Sequence, residues 1–119
     1  MDISILVVDD DEVHLKGVSR QLSYLGYSVY CARSGSEAVE WLKSHKVGLV
    51  ITDYQMGNMS GAQLRDLIVN ENPKRLPIIL MTGRRDRNLP MGFDGFLQKP
   101  FTMSELHKEV ERVLLTLGG

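Results

Sequence analysis

Four consecutive apolar residues, Ile5-Leu6-Val7-Val8, run without interruption into Asp9-Asp10. A strand with one wet face alternates apolar and polar side chains, so an unbroken run predicts a central strand covered on both faces. Helices on both sides of a parallel sheet supply that cover. Val29-Tyr30-Cys31-Ala32, Leu49-Val50-Ile51-Thr52, Ile78-Ile79-Leu80-Met81 and Phe96-Leu97-Gln98 read as four further strands, each separated from the next by a longer stretch. Strands alternating with helical period are the mark of βα units, so the fold class is α/β with a five-stranded parallel sheet.

The intervening stretches supply the helices. Leu15, Val18, Leu22 and Leu25 recur at steps of three or four and form one apolar stripe. Ser34 with Glu37, Ser60 with Gln63, and Thr102 with Glu105 have capping-box spacing, in which a hydroxyl and a side chain three residues on satisfy free backbone donors at a helix start. The last of these leads into Leu106, Val110, Val113 or Leu114, and Leu117, with Gly118 placed as a stop. Residues 83–95, GRRDRNLPMGFDG, lack a helical apolar period. They predict a loop with at most a turn or two of helix, so the fourth helix of the pattern is expected to be shortened or irregular.

The 119 residues suit one domain spanning 1–119. A net charge of -1 gives no bulk attraction to nucleic acid or anionic membrane, so binding is expected to come from a site. The lone Cys31 allows no internal disulfide and no CxxC metal pair. No apolar run nears the ~20 residues of a membrane span, and no signal-peptide pattern opens the chain. These features lead us to expect a cytoplasmic protein.

Chemistry gathers at the carboxyl ends of the strands, where ligands bind in open parallel sheets. The first strand ends in Asp9-Asp10, the third in Thr52-Asp53, the fourth in Thr82, and the fifth runs into Lys99-Pro100. Three carboxylates in one crevice form a hard oxygen pocket suited to Mg2+, and magnesium sites of this kind accompany phosphoryl chemistry. A carboxylate can itself be the nucleophile, while a lysine and a hydroxyl bind the oxygens of the transferred group.

The motifs LVVDDD, ITDYQM, MTG and LQKPF, in this order at the ends of those strands, resemble the receiver domain of two-component response regulators, from Ile3 to Leu117. The resemblance implies a doubly wound, flavodoxin-like sheet in the order 2-1-3-4-5. It further implies that Asp53 accepts a phosphoryl group from a phosphohistidine on a sensor histidine kinase or phosphotransfer protein. Asp9 and Asp10 would hold Mg2+ directly or through water, with Asp53 and the backbone carbonyl of Gln55 completing the set. Lys99 would pair with the phosphoryl oxygens, or with Asp53 when it is empty. Thr82 would bind the phosphoryl group once formed, and Phe96 would change rotamer as Thr82 moves. Gln55 and Arg84, each two residues after a site residue, are tuning positions for phosphoryl lifetime. The downstream effector is not specified by these residues.

Two departures from the family pattern stand out. Gly57 replaces the usual proline, and the region of the fourth helix is irregular, which leaves the family's usual output surface in question. Two other readings stay open. A degenerate receiver would act as a constitutive interaction module. Asp9-Asp10-Asp11 also fits the DxD pattern of haloacid dehalogenase-like phosphatases, with Asp9 as nucleophile and Asp11 as acid/base, although that reading leaves Asp53 without a role. The remaining residues have plainer expectations. Asp11 is the natural N-cap of the first helix, with Glu12 in its first turn. Phe96 is expected in or against the core, and Trp41 beneath the second strand. His14, His45 and His107 lack ligand spacing and are expected to be solvated. Arg84, Arg85 and Arg87 form a basic loop that is either solvated or faces an acidic partner or the approach to Asp53.

Overall fold

Consecutive residues of β1 (Ser4–Val8) enter different cores. Ile5 and Val7 join Leu15, Val18, Leu22, Leu106, Val110 and Val113 on one side, while Leu6 and Val8 join Ala38, Leu64 and Ile68 on the other. The unbroken apolar run is therefore the sequence image of a strand with no wet face. The computed structural model describes residues 3–57, 59–71, 75–83, 86 and 88–118. After β1 follow α1 (Glu12–Tyr24), β2 (Ser28–Ala32), α2 (Gly35–Ser44), β3 (Leu49–Asp53), α3 (Gly61–Glu71), β4 (Ile78–Thr82), β5 (Gly95–Gln98) and α4 (Met103–Gly118). The five strands are parallel in the order β2-β1-β3-β4-β5. Helices α1 and α4 cover one face, and α2 and α3 the other.

The helix starts follow the sequence signals. Asp11 caps α1, its side chain accepting from the Val13 and His14 amides. Both arms of the capping box form at Ser60/Gln63 and at Thr102/Glu105. At Ser34 only the forward arm matches, because Glu37 accepts from the amide of Arg33 instead of Ser34. The stripe on α4 buries Leu106, Val110 and Val113, and Leu114 is partly buried; the helix runs through Gly118. The expected burial of Leu117 falls outside what is described of that side chain.

Among the described residues no helix joins β4 to β5, and side-chain bonds hold this connection in place. Arg65 of α3 donates to the Gly92 carbonyl at 2.7 Å. Asp94 accepts from the Ile78 amide at 2.8 Å and pairs with Arg75. Arg112 of α4 donates to the Asp94 carbonyl at 2.9 Å, and Glu109 accepts from the Phe96 amide at 2.8 Å. Glu109 thereby occupies a donor on the outer edge of β5, which would otherwise be open to another strand. Gly95 permits this approach: a Cβ there would lie 2.6 Å from Glu109 Oε2 and 2.9 Å from Val113 Cγ2.

Phe96 departs from expectation. It is 43% exposed, and its ring stands edge-on to Phe93 at 6.1 Å. Side chains alternate across a strand, so with Leu97 turned into the core beneath α4, Phe96 must face the other way, where no helix among the described residues covers β5. Trp41 packs as expected against β2, stacked on Tyr30 at 4.8 Å. His45 is less free than expected, with its ring 4.5 Å from that of Trp41.

Candidate functional site

Parallel register aligns the strand ends that carry the chemistry. Val8 pairs with Ala32 and Thr52, Asp53 with Met81, and Thr82 with Gln98. Asp9 and Asp10 leave β1 beside Asp53 at the end of β3, and Thr82 lies one step beyond Asp53's partner on the adjoining strand. The Lys99 amide donates to the Thr82 carbonyl at 2.7 Å, which brings the lysine back over the sheet edge. Its ammonium reaches two carboxylates at once, Asp53 Oδ1 at 3.1 Å and Asp9 Oδ2 at 3.2 Å. Gly61 lets α3 begin close to this edge: a Cβ there would stand 2.7 Å from the Asp53 carbonyl and 2.9 Å from Leu80 Cδ1.

Asp9, Asp10 and Asp53 each offer an oxygen within 4.8 Å of the others, the one such metal-capable group among the described residues. Asp9 is fully buried, Asp10 exposed and Asp53 between them, so the pocket opens outward through Asp10. Asp10 Oδ2 accepts from the Gly57 amide at 3.3 Å. An all-oxygen set with one solvent-facing member is the donor chemistry of Mg2+, which keeps several waters when bound by few protein ligands.

Burial pushes the carboxyl of Asp9 upward, but the hydrogen bond from His14, the amide of Asp11 and the ammonium of Lys99 together hold it below its ordinary value. Asp53 moves the other way. Burial and the charge of Asp9 raise it despite the Lys99 ion pair. For Lys99, the two carboxylates outweigh the cost of burial and raise its value, keeping the ammonium charged. The site is thus a buried carboxylate, Asp9, and a partly buried one, Asp53, bridged by one cation, with Asp53 held less firmly in its charged form.

Residues 5–111 match the family model of the response regulator receiver domain. The chain belongs to this family. It is 35% identical over 120 residues to the response regulator MprA of Mycolicibacterium vanbaalenii, covering 96% of this chain and 51% of that protein. It is also 35% identical over 108 residues to the hybrid signal transduction protein dokA of Dictyostelium discoideum, covering 87% of this chain and 6% of dokA. The chain therefore spans about half, or far less, of these relatives' length. A solved signal receiver domain of an HD domain-containing protein from Pseudomonas fluorescens Pf-5 superposes with a TM-score of 0.88 at 30% identity, over 98% of this chain and 97% of that one. Receiver domains are the signalling switches of two-component systems, and the acidic group of this receiver is compatible with magnesium.

The receiver's site brings together Asp9, Asp10, Asp53 and Lys99. Thr82 is buried at the end of β4, and Gln55 lies exposed two residues past Asp53. Phe96 stands outside this crevice on the exposed side of β5, and Arg84, with Arg85 and Arg87, lies outside the described residues. The carboxylate of Asp11 is taken up by the amides of Val13 and His14, so it serves the helix and not a DxD pair with Asp9.

Two contacts were not anticipated from sequence. His14, expected to be solvated, has Nδ1 2.6 Å from Asp9 Oδ2 and its ring edge-on to Phe101 at 5.7 Å. The signal was present as a histidine five residues after a strand-end aspartate, on the inner side of the first turn of α1. The second is the Gly57 amide on Asp10, a donor that proline at this position would lack.

Proposed function

We propose that this receiver, taken as one unit over residues 1–119, is phosphorylated on Asp53 by a phosphohistidine of a sensor histidine kinase or phosphotransfer protein. The observation that carries this reading is the single ammonium of Lys99 shared between Asp53 and the buried carboxylate of Asp9. An oxygen of Asp53 attacks phosphorus as the P–N bond of the phosphohistidine breaks. The bonding electrons return to the imidazole, and an acyl phosphate forms. Asp9, Asp10, Asp53 and the backbone carbonyl of Gln55 would hold Mg2+, which when bound neutralises charge on the phosphoryl oxygens. Lys99 is already at the acceptor and pairs with the new oxygens as they arrive. The hydroxyl of Thr82 binds the phosphoryl group once formed, and Phe96 changes rotamer in response, the two acting as a two-position reporter. The receiver catalyses only its own phosphorylation and dephosphorylation, acts in the cytoplasm, and signals to a protein or domain through this change. Neither nucleic acid nor membrane is bound by this unit.

Intact-mass measurement after incubation with acetyl phosphate and Mg2+ tests the reading. One phosphoryl group is expected on the wild-type chain and none on Asp53→Ala or after chelation of the metal. No gain with either acetyl phosphate or the cognate kinase would favour a constitutive interaction module. Turnover of phosphoesters that survives loss of Asp53 would favour the phosphatase chemistry of Asp9. Gln55 and Arg84 set the lifetime of the acyl phosphate in this scheme; Arg84→Ala is expected to change its half-life measurably, and an unchanged half-life removes Arg84 from it.

A further inference from the structure

Asp9 has no exposure to solvent, and both of its carboxylate oxygens are occupied. Oδ1 accepts from the Asp11 amide at 3.0 Å, while Oδ2 meets His14 Nδ1 at 2.6 Å and Lys99 Nζ at 3.2 Å. An ionised carboxylate can only accept, so the short contact places a proton on Nδ1. The imidazole is itself held, edge-on to Phe101 at 78°. Lys99, by contrast, is divided between Asp9 and Asp53. On the function proposed above, Lys99 follows a phosphoryl group arriving on Asp53, and a buried carboxylate that loses its charged partner is strongly disfavoured unless another donor remains.

We propose that His14 is a positioning residue for Asp9, fixing its buried carboxylate toward the metal pocket and remaining on Oδ2 when Lys99 follows the phosphoryl group. This rests on the magnesium site of the preceding reading. The arrangement is that of a partner outside the ligand set which orients a ligand, the kind of contact whose loss weakens metal affinity by about 10- to 100-fold. The N-cap and first turn of α1 then contribute two donors to the site, the Asp11 amide on Oδ1 and the His14 imidazole on Oδ2.

Calorimetric titration of Mg2+ into unphosphorylated wild type, His14→Leu and His14→Asn tests this. Leucine keeps an apolar contact with Phe101 and loses the donor; asparagine loses the ring but offers an amide nitrogen near the position of Nδ1. Positioning requires about tenfold weaker magnesium binding for His14→Leu and near wild-type binding for His14→Asn. A packing role would give the reverse order and appear in thermal unfolding instead. Unchanged or tighter binding by His14→Leu, or equal weakening in both variants, overturns the proposal. The 15N imidazole spectrum of the wild type reads the same contact without a substitution: a protonated Nδ1 with and without Mg2+ is required, and an unprotonated Nδ1 overturns it. Failure of the wild type to bind Mg2+ would instead remove the magnesium reading, and this inference with it.

Discussion

At the scale of single residues, the site is built around an unfavourable charge. Burial and the anion of Asp9 raise the carboxyl of Asp53 above its ordinary value of 3.8 even with Lys99 beside it. A carboxyl raised in the folded state contributes stability below the unfolded value and loses it as pH rises through the folded value. At neutral pH and without metal, Asp53→Asn is therefore expected to stabilise the fold by about 1 kcal/mol, read from urea unfolding. A loss of stability would show that the Lys99 ion pair outweighs the repulsion. Gly61→Ala is expected to cost about 1–3 kcal/mol in the same measurement, because its Cβ would press on the Asp53 carbonyl. The carboxylates and Lys99 were legible in the sequence because their position at strand ends follows from the apolar runs alone. His14 was not, since its contact depends on how the first turn of α1 folds back over Asp9, which no apolar spacing encodes.

At the scale of elements, the described part of the connection from β4 to β5 has polar ties and no helix. The lack of a helix among its described residues was readable from the missing apolar period in the sequence of 83–95, but the ties were not, because they join side chains from α3 and α4 that are distant in sequence. Phe96 was misplaced for a related reason. Its apolar character suggested the core, whereas strand alternation turned it to a face that no described helix covers and left it partly exposed. Glu109 is central to this element. The hydrogen bond from Arg112 is the strongest influence on its carboxyl, followed by an opposing burial effect and the Phe96 amide, and the net effect lies below the ordinary value of 4.5. A lowered carboxyl contributes stability above the unfolded value and loses it as pH falls through the folded value. Glu109→Gln is thus expected to cost about 1 kcal/mol at neutral pH, with the gap to wild type closing as pH falls below the ordinary value of 4.5. A gap independent of pH would mean that the charge of Glu109 contributes nothing to the edge of β5.

At the scale of the whole molecule, two apolar cores lock five strands in register, and that register places Asp9, Asp10, Asp53 and Lys99 together, with Thr82 at the end of the adjoining strand. This much followed from sequence, because a continuously apolar strand admits few architectures. Magnesium at the crevice would bind only the folded chain, so at about 100 times its dissociation constant it is expected to stabilise the receiver by roughly 2.7 kcal/mol, and Asp10→Ala by much less. The central claim, that Asp53 is the acceptor, is tested most directly by trapping the acyl phosphate. Borohydride reduces an aspartyl phosphate to homoserine, and peptide mass spectrometry then reads which residue carried the phosphoryl group. Homoserine at position 53 is the required result; homoserine at position 9, or at neither, would contradict it.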